Sequence, residues 1–226
     1  MSQTDVLSGI PSSQSQDWKT VAKLIDHTLL KPDATREQIA NLCREAIQYG
    51  FHSVMVNPCN VAQAVSLVRG SGVLVSTVIG FPLGATTTTA KLAEANEALK
   101  LGARELDMVI NIGALKSGQR DLVESEIRAL VRAAHHRRAL LKVIIEATML
   151  STEEKLLVCQ LCLRVKADFV KTSTGFTSAG ATAGDVALMR GVVGHQMGVK
   201  AAGGIRTPED LITMVDAGAN RRPVGE

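Results

Sequence analysis

Two lysines and an aspartate stand at places where a folded chain rarely spends charge. Lys171 ends the apolar run "FVK", Lys200 sits in "GVKAAGG", and Asp107 lies inside "ELDMVIN". Such side chains are almost never fully buried unless paired, so three of them at the ends of apolar runs imply a partnered set. A lysine with its ordinary pKa of about 10.4 is protonated at pH 7 and is no nucleophile. Desolvation and a neighbouring cation both lower that value. If Lys200 lies beside Lys171, each disfavours the other's charge, and one of the two becomes an amine that can attack a carbonyl and form a Schiff base. The iminium is then an electron sink for making or breaking the adjacent C–C bond. Asp107, acting through a water, is suited to move the protons. Lys142, near the start of "LKVIIEA", is a fourth candidate, for which a structural role fits equally well.

The glycines suggest how the other end of a substrate is held. Gly203-Gly204 follows Lys200 and precedes a helix start at Thr207, where backbone N–H groups and the helix N-terminus attract an anion. Gly175, four residues after Lys171, is similar.

Positioning these groups requires a regular scaffold. Seven β-branched apolar runs recur about 20 to 35 residues apart: "KLIDHTLL" (23–30), "SVMVNP" (53–58), "VLVSTVIGF" (73–81), "ELDMVIN" (105–111), "LKVIIEA" (141–147), "FVKTS" (169–173) and "GVKAAGG" (198–204). Helix-like stretches separate them, which is the rhythm of βα units and a parallel sheet. Asp33 is a candidate N-cap with Gly50 as the stop, Ser151 and Glu154 have capping-box spacing, and Thr207-Pro208 with Asp210 opens the last helix. The expected fold class is α/β, a TIM (β/α)8 barrel. The first turn, "LLKPDAT", lacks the glycine fingerprint of a doubly wound dinucleotide fold.

Composition agrees. Apolar residues make up 46% and aromatics only 3%, so the core is aliphatic, as strands buried on both faces require. A net charge of +3 without a basic, aromatic-interleaved run argues against nucleic acid as a partner. No apolar run is long enough to span a membrane. Residues 1–18 read as a flexible polar leader without signal-peptide character, leaving 19–226 as a single barrel domain. Cys159-x-x-Cys162 lies within a helical pattern with no second ligand pair, so metal is not expected there, and reduced thiols imply the cytoplasm. A homo-oligomer is compatible with the sequence, although no interface stripe stands out.

The motifs "IDHTLLKP", "VIGFPLGATTT", "ELDMVINIGAL", "LKVIIE", "FVKTSTGF" and "VKAAGGIRTPED" together resemble the deoxyribose-phosphate aldolase family, from about Lys23 to Arg221. The resemblance implies a class I aldolase on a TIM barrel. Such an enzyme cleaves 2-deoxy-D-ribose 5-phosphate reversibly to acetaldehyde and D-glyceraldehyde 3-phosphate, in deoxyribose phosphate catabolism. It implies Lys171 as the Schiff-base lysine, Lys200 as the neighbour lowering its pKa, and Asp107 as the proton-transfer carboxylate. Asp26 and Thr28 match a polar pair on strand one, and Gly175, Gly203 and Gly204 match part of the phosphate loops; Lys142 and Thr172 complete the substrate-binding candidates. Partners are then small phosphosugars and aldehydes, with no metal or organic cofactor.

After "AGANR" the family pattern continues with a strand, a "GTSSG"-like phosphate loop and a helix, where this chain has "RPVGE". An eighth unit needs roughly 15 more residues, and Pro223 cannot donate a ladder hydrogen bond. The expectation is therefore a barrel lacking its eighth βα unit, with unpaired edges on strands one and seven. Two other readings follow. One is an inactive or weakened barrel fragment of the same family. The other is a phosphosugar-binding barrel without Schiff-base chemistry, which leaves both lysines unexplained.

Overall fold

All seven apolar runs form strands. The computed structural model describes residues 17–177 and 180–224. The strands are β1 (Ile25–Leu29), β2 (Ser53–Val56), β3 (Leu74–Ile79), β4 (Glu105–Val109), β5 (Leu140–Ile144), β6 (Phe169–Lys171), β7 (Gly198–Lys200) and a further β8 (Arg222–Val224). Among the described residues the helices are α1 (Asp17–Ala22), α2 (Arg36–Tyr49), α3 (Val61–Val68), α4 (Thr88–Leu101), α5 (Ile112–Lys116), α6 (Arg120–His136), α7 (Thr152–Val165), α8 (Ala183–Val193) and α9 (Pro208–Asp216). Every strand pairing is parallel, and the order β7-β6-β5-β4-β3-β2-β1-β8 is that of a TIM-like barrel.

The helix signals act as the sequence suggests, with one correction. Ser151–Glu154 and Thr207–Asp210 both form capping boxes, and Gly50 ends α2 in the left-handed region at φ 68. The N-cap of α2 is Thr35, not Asp33: its side chain accepts from the Gln38 N–H while Gln38 reaches back, satisfying two otherwise orphaned donors. Helix α1 begins at Asp17, inside the stretch read as leader, and residues 1–16 of that stretch lie outside the described residues.

The expected gap after β7 is occupied. Residues Arg222–Val224 pair with β1 (Asp26 opposite Pro223), and Arg221 bridges to Lys200 of β7. The Ala201 N–H donates to the Arg221 carbonyl (3.1 Å) and the Asn220 N–H to that of Val199 (3.0 Å). Alternate residues of a parallel strand turn their N–H groups to opposite neighbours, so one proline removes one ladder bond and not the strand. Neither β1 nor β7 is left with the unpaired edge expected of it.

Side-chain alternation sets the layers. Leu106, Val143, Val170 and Val199 point outward into an aliphatic core with Ile39, Leu42, Ile127 and Leu130 from the helices. The inward positions carry Asp26, Ser53, Ser76, Glu105, Asp107, Lys142, Lys171 and Lys200, none more than 2% exposed. A barrel interior ordinarily filled by branched apolar residues here holds charge. Register makes the charges neighbours: Asp107 lies opposite Lys142, and Lys171 opposite Lys200.

Candidate active site

Asp107 is the hub. Its Oδ2 accepts from Lys171 and Lys200, both at 2.9 Å, and its Oδ1 accepts from Lys142 at 2.8 Å. Lys200 also donates to Asp26 Oδ2 (2.6 Å), and the Lys142 ammonium lies 2.5 Å from Glu105 Oε2. Below these, Arg221 reaches Asp26 Oδ1 (3.1 Å) and Glu105 Oε1 (3.2 Å). Ser53 donates to Asp26, Ser76 to Glu105, and His52 Nε2 lies 2.8 Å from Glu105. The charges are thus paired and hydrogen-bonded, the condition under which burying them is tolerable.

The titration behaviour follows. Burial pushes the Lys171 amine down, the Asp107 charge opposes this, and Lys200 and then Lys142 push it further, leaving it at about 8. Desolvation is the larger effect; the neighbouring cation that the sequence suggested comes second to it. Burial alone would raise Asp107, but the charges of Lys142, Lys171 and Lys200 outweigh it and hold the carboxyl well below its usual range. For Lys142 burial is outweighed by Asp107, Glu105 and Asp26, so its pKa lies above the usual lysine value. A lysine buffered near 8 exists as free amine in useful amount at neutral pH, which Lys142 does not.

Lys171 also has access to a ligand. A cleft of about 140 Å³ at the C-terminal ends of the strands is lined by Thr28, Lys171, Gly175, Gly203, Gly204 and Arg206. Gly175, Gly203 and Gly204 have φ of 85, 83 and 78, where a Cβ would be strained, so these turns keep backbone at the cleft wall. A larger hollow of about 770 Å³ opens at the opposite end, beside Asp168, Phe169 and Gly198 at the strand starts, and none of the clustered lysines lines it. Barrel chemistry belongs to the C-terminal face, which favours the smaller cleft.

The expected residues therefore divide. Lys171, Thr28 and the three glycines meet in the cleft. Asp107 accepts from Lys171, and Lys200 lies opposite Lys171 on the adjacent strand. Asp26 and Lys142 are fully buried among charges, and the Thr172 hydroxyl is used between the Ala202 carbonyl (3.2 Å) and N–H (3.0 Å), tying the end of β6 to the loop after β7. Several contributors escaped sequence reasoning. Glu105, Arg221, Ser53 and Ser76 complete the buried network. Glu146, at φ 50, accepts from the Thr174 N–H and the Thr177 hydroxyl, both at 3.1 Å, and so fixes the loop after Lys171. The acid closing "VIIEA" was a usable signal for it. Among the described residues the buried Ser173 hydroxyl lacks a partner. Cys159 and Cys162 lie in the core face of α7, and burial pushes the Cys159 thiol up to about 12.

Fold and site together define an enzyme of the barrel aldolase class. The model of the DeoC/LacD family aldolases matches residues 20–225, and the chain belongs to that family. It is 56% identical over 205 residues to the deoxyribose-phosphate aldolase of Clostridium kluyveri, covering 91% of this chain and 94% of that one. With the enzyme of the same name from a Geobacillus species it shares 58% over 201 residues, covering 89% and 90%. The tetrameric deoxyribose phosphate aldolase of Aeropyrum pernix superposes with a TM-score of 0.86 at 36% identity, covering 99% of this chain and 94% of that one. No helix among the described residues is long and apolar enough to cross a membrane.

Proposed function

We propose that this protein cleaves 2-deoxy-D-ribose 5-phosphate reversibly to D-glyceraldehyde 3-phosphate and acetaldehyde through a Schiff base on Lys171. The observation carrying the assignment of Lys171 is that, of the clustered lysines, it alone lines the cleft, and its pKa is lowered to about 8.

The free amine adds to the C1 carbonyl, and loss of water from the carbinolamine gives an iminium. The C3 hydroxyl loses its proton, the C2–C3 bond breaks, and its electron pair moves into the iminium to give an enamine. D-Glyceraldehyde 3-phosphate leaves. Protonation of the enamine at C2 and hydrolysis release acetaldehyde and restore Lys171. Asp107, already hydrogen-bonded to the nucleophile, passes these protons through a water. The phosphate is held by N–H groups at Gly175, Gly203 and Gly204 near the start of α9. The partners are small phosphosugars and aldehydes in the cytoplasm, with self-association as in the Aeropyrum pernix tetramer.

The inactive-fragment reading rests on a missing eighth unit with its phosphate loop; of that unit β8 supplies the strand, pairing with β1 and bridging to β7. The test is turnover of 2-deoxy-D-ribose 5-phosphate by the full chain and by Lys171→Ala. Wild-type activity that the variant loses is expected. Unchanged turnover in the variant would instead favour a phosphosugar barrel that needs no Schiff base.

A further inference from the structure

The buried network contains a cation that neither the cleft nor the proposed chemistry uses. Arg221, just before β8, is 7% exposed and points into the barrel. It faces Asp26 from β1, Glu105 from β4 with His52 behind it, Lys142 from β5, and Lys200 from β7 through the strand bridge. From β6 the Phe169 ring lies under its guanidinium, with 5.4 Å from the guanidinium carbon to the ring centroid. Lys171 itself is faced by Asp107 from β4, Lys200 from β7 and Lys142 from β5.

The charge count decides what Arg221 does. The interior holds three carboxylates, Asp26, Glu105 and Asp107. Besides Lys171, which itself donates to Asp107, three cations, Lys142, Lys200 and Arg221, pair with them directly. With all three present no negative charge is left uncompensated, and a proton on Lys171 would be a fourth, excess cation. Without Arg221, Asp26 draws more fully on Lys200, Asp107 is left to Lys171, and the excess becomes a deficit that Lys171 fills by keeping its proton.

We infer that Arg221 is a positioning residue for the aldol reaction: its buried guanidinium balances Asp26 and Glu105 so that Lys171, to which it makes no bond, stays free as a nucleophile. This rests on the proposed role of Lys171. It assigns to the segment joining α9 to β8 an electrostatic task besides its place in the sheet.

The test uses the full-length protein. The pH dependence of kcat/KM and of borohydride-trapped acetaldehyde adduct on Lys171 is measured for wild type, Arg221→Met, Arg221→Lys and Glu105→Gln. In Arg221→Met the acid limb of both profiles should move to higher pH by about one unit, with roughly 10-fold less activity at neutral pH that recovers on the alkaline side. Arg221→Lys should restore the wild-type midpoint. Glu105→Gln, which removes a negative charge, should move the midpoint the other way; this variant and Arg221→Lys decide the matter if Arg221→Met does not fold. Folded variants whose activity falls while the midpoint stays fixed would overturn the inference and leave Arg221 a purely structural role. Absence of any wild-type adduct on Lys171 would instead overturn the Schiff-base reading on which it rests.

Discussion

Lys91 and Lys171 are both buried lysines, and the contrast between their surroundings separates a structural charge from a chemical one. Lys91, on α4, is fully buried outside the barrel interior. Its ammonium has one carboxylate to itself, Glu126 at 2.7 Å, and a second bond to the Val109 carbonyl at 2.7 Å. Its stem packs on Gly80, where a Cβ would come within 2.7 Å of the Lys91 Cε. Lys171 shares its carboxylate with two other amines and lines a cleft. Burial lowers the pKa of both. What differs is competition for the counter-charge and access for a ligand, and those two features, more than burial, support Lys171 as the proposed nucleophile.

The comparison can be broken by substitution. The largest effect is expected for Lys171→Ala, which should lose roughly 10⁴-fold or more in kcat while melting as a folded protein. Asp107→Asn keeps the shape but removes the shared charge and the proposed proton carrier, so kcat should fall by about 10² to 10⁴. Lys91→Met leaves Glu126 buried without its cation. It should cost on the order of 3–5 kcal/mol in denaturant unfolding while the pH midpoint of kcat/KM stays in place; a moved midpoint would show that the two regions are coupled. The smallest effect is expected for Gly203→Ala, whose Cβ would sit 3.0 Å from the Gly180 Cα at a positive φ. It should raise KM for the phosphorylated sugar several-fold and leave unphosphorylated 2-deoxyribose little affected.

The same contrast shows what sequence could reveal. Lys171, Lys200 and Asp107 were legible because each interrupts an apolar, β-branched run, and a charge there has few bland explanations. The strands were legible for the same reason. Lys91 was not, because a lysine in "AKLAEANEALKLGA" looks like part of a solvated helix face, and only the packing of α4 on Gly80 buries it. Glu105 opens its strand and reads as an exposed end until Lys142 and Arg221 are brought to it from β5 and the start of β8. The missing eighth strand was misjudged because Pro223 and a short remainder argue against an independent strand. Pairing with β1 and a bridge to β7 supply from both sides what the segment lacks by itself. Cap assignment erred between Asp33 and Thr35 because both are good N-cap residues two positions apart, and the Gln38 side chain decides between them.

The central claim is that Lys171 is the nucleophile and is free because it is desolvated among charges already balanced. The most direct measurement is the pH dependence of acetaldehyde adduct formed under borohydride, followed by intact mass and mapped to the modified peptide. A single adduct on Lys171 whose formation rises with pH through a midpoint near 8 is predicted, since deprotonation creates the attacking form. An adduct on another lysine, or a Lys171 midpoint near its ordinary 10.5, would contradict it.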